Sequence, residues 1–265
     1  MRTMLKSSEL QPGDVLLYSG SSFLDSLIRF FDGSEYNHSS IFDGTDVAEA
    51  VAAGVVSDSI AESIQDQDYV DIYRFNSDDG TPLGGPGYPP DPVLGRIAYY
   101  VAQHDRYAYE QLLLLALLTT TRRLPFIGWV PGLASLLRTI LDGAAEALNQ
   151  IIAAGKQPMI CSELVYRCYS EAGDKYGLEI VGAEIVARNS LYELALRGST
   201  SLGPGDQESR EIQDLLAASQ TFLRRYAIAR RPRAPLSVAQ VVADFVTPRD
   251  LKTSPNLLCI GRLNT

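Results

Sequence analysis

The chain has 265 residues, 46% of them hydrophobic and 21% charged, with a formal net charge of −9. That length supplies a sizeable core for one large domain or two small ones, and the acidic balance argues against a nucleic-acid partner, which requires clustered Lys and Arg. Three cysteines without paired spacing give neither a disulfide framework nor a zinc pattern, and no apolar run reaches the ~20 residues that span a bilayer.

With no apolar h-region after Met1, the expectation is a reduced, cytoplasmic protein. The one dense basic run, Arg224-Arg225 through Arg230-Arg231 and Arg233, reads as a solvated helix end.

In chain order, Gln11-Pro12-Gly13-Asp14 reads as a turn and Val15–Tyr18 as a strand. Phe23–Phe31 carries helical spacing, with Ser22 as its N-cap. Two extended runs follow, Tyr36–Phe42 and Thr45–Val51, split by Asp43-Gly44, a strong hairpin signal. With Asp43 and Gly44 as the two loop residues, Phe42 faces Thr45 and His38 falls directly opposite Glu49. A loop widened by one residue on each side keeps that pairing. A slip of one residue sends the two side chains to opposite faces. Tyr36 and His38, two residues apart, are expected on one face of the strand.

Further strands are expected at Gly54–Ser57 and Tyr69–Phe75, then a surface loop from Asn76 to Pro92. Leu94–Ala102 and Tyr107–Leu118 read as helices, with Thr119–Arg123 breaking the second. Leu136–Ile152 reads as an amphipathic helix after the turn-rich, apolar stretch Leu124–Leu133. Segment 124–155 is either a helical insertion packed on the core or a lid meeting acyl chains or a membrane surface. It lacks the Lys-rich face of surface-seeking helices, which favours the packed insertion.

Met159–Tyr169 reads as a helix with Cys161 in its first turn and Leu164, Val165 and Cys168 on the same face. A cysteine there lies among unpaired N–H groups at the positive end of the dipole, which favours the thiolate. The bland alternative is a buried cysteine that starts the apolar stripe. Cys168 falls mid-helix, and Cys259 lies in what reads as a short buried strand, Asn256–Gly261. Beyond Cys161, a strand or loop start is expected at Leu178–Val181, helices at Leu191–Leu196, Glu211–Ala229 and Ser237–Phe245, and a Gly-rich loop at Ser199–Asp206.

A thiol nucleophile needs a base, and the base needs a third group to fix its tautomer. The chain has two histidines. His104 sits in a polar link between helices and reads as a surface residue; His38 has Glu49 across the ladder. Cys161, His38 and Glu49 therefore supply the three roles. A half-buried histidine satisfied by Glu49, without chemistry, explains the hairpin equally well.

Gly13-Asp14-Val15, Tyr36-Asn37-His38-Ser39, Glu49-Ala50 with Gly54-Val55, and the late Cys161-Ser162-Glu163-Leu164-Val165 occur in an order that resembles the circularly permuted papain-like proteins of the YiiX/YaeF type. These are relatives of NlpC-type cell-wall endopeptidases and of lecithin retinol acyltransferase. Thr247–Leu251 is similar to a piece this family carries before its last strand. The resemblance implies an α+β fold: a papain-like, NlpC-type core, circularly permuted, with a small antiparallel sheet or barrel on the cysteine-bearing helix. It implies one domain over 1–265, with 108–157 as a helical insertion.

It also implies Cys161 as nucleophile, His38 as general base, Glu49 as the orienting acid and Tyr36 as a site-lining residue, with no metal or other cofactor. The implied activity is a cysteine hydrolase or amidase, a thiol peptidase, acting on a peptide, amide or acyl-lipid through a thioester. A lipid acyltransferase and a catalytically idle binding module are the alternatives. Peripheral membrane contact through 108–155 is a further expectation, and the sequence leaves substrate identity and oligomeric state open.

Overall fold

A computed structural model describes residues 2–51, 54–103, 106–107, 110–121, 132–180, 207–230 and 242–264. The expected helix at Leu191–Leu196, the loop at Ser199–Asp206 and His104 lie outside these residues, as does most of the helix expected at Ser237–Phe245.

The architecture is α+β, built on a mixed seven-stranded sheet. Its strands are β1 (Met4–Leu5), β2 (Val15–Gly20), β3 (His38–Phe42), β4 (Val47–Val51), β5 (Gly54–Asp58), β6 (Gln67–Phe75) and β9 (Leu257–Leu263), in the spatial order β1-β9-β6-β2-β3-β4-β5. All neighbours are antiparallel except β1, which pairs parallel with β9 through Met4 and Leu5. The expectation of a wholly antiparallel sheet or barrel is thus corrected. The N-terminal strand adds a parallel edge, and the sheet runs between two different edge strands. A two-residue pair, β7 (Arg106–Tyr107) with β8 (Gln157–Pro158), stands apart.

Strand alternation divides the sheet into two differently covered faces. Val15, Leu17, Ile41, Ala48, Ala50, Tyr73 and Phe75 join the large core under the helices. Leu16, Tyr18, Phe42, Val47, Val70 and Ile72 point the other way into a smaller core closed by Leu5, Leu10 and Leu263, with Ile60 and Ile64 at its margin. Every residue of β2 is buried, because it is covered on both faces; its run Val15–Tyr18 is accordingly continuous rather than alternating.

The helices of the large core are α1 (Phe23–Asp32), α3 (Asp91–Ala102), α4 (Glu110–Thr121), α5 (Leu133–Ala153), α6 (Cys161–Ser170) and α7 (Gln207–Ala229). The short α2 (Ile60–Ser63) flanks the smaller core, and α8 (Pro248–Thr253) precedes β9. Ser22 caps α1 as its sequence implies: its side chain accepts from Asp25 N at 3.1 Å, and Gly33, at φ 64°, ends the helix. Thr247 caps α8 in the same way through Asp250.

Helix α4 begins at Glu110 rather than Tyr107, whose backbone pairs with β8, and it runs through Thr121 instead of breaking at Thr119. Leu113–Leu118 are all buried, as expected for a helix enclosed on every side. The apolar stripe of α5, including Leu137, Leu141, Ala144 and Leu148, is buried too, and α5 packs along α7. Among the described residues, then, the apolar faces of 108–155 are spent on packing within the chain. No helix among them is long and apolar enough to cross a membrane.

Candidate active site

The β3–β4 hairpin delivers His38 and Glu49, though in a register the sequence misjudges. The registered pairs are Ile41 with Ala48 and Phe42 with Val47, so the loop has four residues, Asp43–Asp46. The Asp43 carboxylate accepts from Thr45 N and Asp46 N at 2.8 Å each, and Asp43 N donates to Asp46 O at 2.9 Å. That side-chain turn holds two more residues in the loop than a two-residue hairpin has.

The register is offset by two from the expected one. By count, Glu49 lies beside Ser40, and His38 is its diagonal neighbour. Because the offset is even, both side chains keep a common face. They meet: His38 Nε2 lies 2.7 Å from Glu49 Oε2, with both side chains largely buried.

The pair sits in a polar pocket of the smaller core. The Tyr18 ring, on β2, packs 4.9 Å from the imidazole, centroid to centroid. Tyr18 Oη is 2.5 Å from Ser40 Oγ and 2.6 Å from Ser63 Oγ. Burial pushes the Glu49 carboxyl up, but the hydrogen bond and charge of His38, with hydroxyl and carboxyl contacts from Ser63 and Asp58, hold it below the usual glutamate value. Asp58 moves the opposite way: burial and the neighbouring Glu49 charge raise it. Tyr18, fully buried and near the Glu49 charge, is raised as well and stays protonated. None of Tyr18, Ser40, Ser63 and Asp58 carries a motif. The one available clue was the alternation that sets Tyr18, beyond Leu16, on the His38 side of the sheet.

Cys161 is the first residue of α6, behind an extended Ile160, and is completely buried. The helix packs on β3 and β4. It does so through the large core, on the side of Ile41, Ala48 and Ala50, whereas the side chains of His38 and Glu49 project to the opposite face. Two anchors give the direction of α6. At its far end Tyr169 Oη donates to Gly13 O at 2.5 Å, and Gly13 N donates to Phe42 O at the finish of β3. At its start Ser162 Oγ donates to Val246 O at 2.6 Å; three residues on, Arg249 N donates to Asp32 Oδ2, just upstream of the segment that enters β3. The tip of α6 therefore lies toward the end of β3 where His38 begins the strand.

Behind that tip is a buried ionic cluster. Glu163 Oε1 accepts from Arg167 Nε and from Arg230, each at 2.6 Å. Asp244 Oδ1 lies 3.2 Å from Arg167 and 3.1 Å from Arg230. Arg230 is thus not part of a solvated helix end, as its basic run implies. It turns inward because two buried carboxylates require a counter-charge.

Tyr36 also departs from expectation. It precedes β3, points into the large core and is fully buried. Its hydroxyl donates to the buried Asp71 at 2.7 Å and accepts from Arg2 at 2.9 Å. The regular alternation does not extend back through Asn37, whose side chain is held by Asp25 and Gly20 N. Tyr36 lies on the face away from His38. Cys259 is corrected likewise: it is exposed, whereas Cys168 is buried.

Among the described residues no group of three or more His, Cys, Asp or Glu is arranged to hold a metal ion. No family model matches the chain, and neither a curated protein nor a solved structure matches it significantly.

Proposed function

We propose that the chain is a cysteine-dependent hydrolase of papain-like, circularly permuted design, cleaving an amide or ester through a thioester on Cys161. The observation that carries this reading is the 2.7 Å contact between His38 and Glu49, on strands against which the Cys161 helix packs. With the carboxylate on Nε2, Nδ1 is the ring nitrogen left for proton exchange with sulfur. His38 is the first residue of β3 and Cys161 the first of α6, so this mechanism requires sulfur and ring to meet around the end of the strand, not through the sheet.

In the reaction, Nδ1 takes the thiol proton and the thiolate forms a bond to the substrate carbonyl carbon. The oxyanion is received by the Cys161 backbone N–H, aided by the helix dipole. Collapse breaks the bond to the leaving nitrogen or oxygen, which takes the proton from the imidazolium. Water, deprotonated by His38, then releases the acyl group as an acid and returns the thiol.

The test is to incubate the protein with activated acyl esters and acyl amides and to search Cys161 for an acyl adduct by mass spectrometry. An adduct that disappears in Cys161→Ser and accumulates in Glu49→Gln supports the reading; no adduct under any condition removes it. A lysolipid or amine acceptor that diverts product from the free acid would identify a transferase.

A second reading, a catalytically idle binding module, is favoured by one observation: Cys161 is fully buried on a helix that covers the face opposite His38. That reading requires Cys161 to stay unmodified in the folded protein.

A further inference from the structure

The first turn of α6 carries a buried carboxylate two residues from Cys161. Glu163 is fully buried, and its Oε2 accepts from Ile160 N at 3.4 Å, so it reaches back to the backbone just before the sulfur. An anion at that place works against the thiolate. It cancels the positive end of the helix dipole and adds a like charge near the sulfur. Unopposed, Glu163 would hold Cys161 as an unreactive thiol.

Arg230 opposes it. Its two terminal nitrogens take the two carboxylate oxygens of Glu163 one each, Nη1 on Oε1 at 2.6 Å and Nη2 on Oε2. Tyr226 holds the guanidinium in place: its ring centroid lies 5.1 Å from the guanidinium carbon, and its hydroxyl accepts from Nη2 at 2.9 Å. Arg167 is a less exclusive partner, divided among Glu163, Glu171 and Asp244.

We propose that Arg230 is a positioning residue for the Cys161 thiol: by gripping both oxygens of Glu163 it cancels the anion in the first turn of α6 and leaves the positive end of the helix to act on the sulfur. Its purpose rests on the hydrolase reading, in which Cys161 is the nucleophile; the electrostatic coupling does not. The thiolate then depends on the docking of α7, a helix remote in sequence from both His38 and Cys161.

Other charged groups stand on the elements packed against α6. His38 and Glu49 come from β3 and β4. On α3, Arg96 pairs with Glu171 at the far end of α6. On α8, Arg249 is held by Asp32, Asp250 by Thr247 and Lys252 by Glu35. Asp174 and Lys175 follow the helix at its far end. Substitutions at Glu163 and Arg230 leave all of these in place, so a change in the thiol between variants reports the pair.

The experiment titrates the full chain, labelled with 13Cβ-cysteine, by NMR, which reads a thiol whether or not a reagent reaches it; Cys161→Ser assigns the resonance. Arg230→Gln should raise the Cys161 midpoint by about one pH unit, a roughly tenfold loss of thiolate at fixed pH, because a buried negative charge is uncovered. Glu163→Gln should lower it by a similar amount, since the amide can keep the contact to Ile160 N while the charge is gone. The double variant should return close to wild type. Arg230→Lys, a point charge without the fork, should fall between wild type and Arg230→Gln. A merely structural role would move the two single variants in the same direction or not at all.

Shifts of one sign in both single variants, or none in either, would overturn the proposal. If Arg230→Gln fails to fold, Glu163→Gln decides, and an unchanged or raised midpoint refutes it. If neither folds, a wild-type Cys161 midpoint at or above the ordinary thiol value refutes it. Opposite shifts without an acyl adduct on Cys161 would leave the role of Arg230 standing and remove the hydrolase reading. An adduct with a midpoint indifferent to both residues would do the reverse.

Discussion

Arg230, at the end of α7, closes a buried ion pair at 2.6 Å with Glu163, two residues past Cys161 in the first turn of α6. The contact ties the Cys161 helix to a part of the chain 67 residues away. Arg167 and Asp244 join them in a buried set of two arginines and two carboxylates, and Arg167 also reaches the more exposed Glu171 at 3.1 Å. Such a set contributes little net stability but penalises the loss of any one member, because the others are left buried and uncompensated.

Replacing Arg230 by Met should therefore cost about 3–5 kcal/mol of unfolding free energy, read from urea denaturation. The double variant Glu163→Leu with Arg230→Met should lose clearly less than the sum of the singles. Additive losses would mean that the pair is not coupled.

Ser39 gives a prediction of opposite sign. Its hydroxyl is buried on the α6 side of β3 and has no hydrogen-bond partner among the described residues. Ser39→Ala removes an unmet polar group and should be neutral or stabilising by up to about 1 kcal/mol. Ser40→Ala, one residue on, breaks the contact to Tyr18 and should destabilise by ~1 kcal/mol. Denaturation midpoints moving the same way for both would contradict this account.

The acid limb of stability separates Glu49 from Asp58. Glu49 is lowered in the fold, so its contribution is present above the ordinary glutamate range and is lost as pH falls through the lowered value. Asp58 is raised, so it detracts from stability at neutral pH, and the deficit vanishes once it is protonated. Asp58→Asn should raise the melting temperature at pH 7, by the equivalent of ~0.5 kcal/mol, and have no effect near pH 3. Glu49→Gln should lower it at pH 7 and flatten the acid limb. Melting curves from pH 3 to 7 on the two variants provide the check.

Much of this arrangement is legible in the residues themselves. Ser22 before an apolar period, Asp-Gly between extended runs and Cys161 after Pro158 mark the elements that carry the site. The face shared by His38 and Glu49 is also legible, since alternation survives any even change of register. What escapes is set by side chains acting across the fold. The Asp43 carboxylate enlarges the hairpin loop by bonding backbone N–H groups, and Asn37 breaks the alternation that would have put Tyr36 beside His38. Arg230 looks like one more surface cation until Glu163 and Asp244 are brought beneath it. The side of the sheet that α6 covers is likewise a tertiary choice; the local pattern of Cys161, Leu164, Val165 and Cys168 fits either face.

The most direct measurement is the pH dependence of Cys161 alkylation by iodoacetamide in a Cys259→Ser background, which removes the exposed thiol. The account predicts alkylation of Cys161 already at pH 5–6, more than about tenfold faster than in the same chain carrying His38→Ala, because the imidazole holds the sulfur as thiolate. Cys161 that reacts no faster than the buried Cys168, or at a rate indifferent to His38, would contradict it.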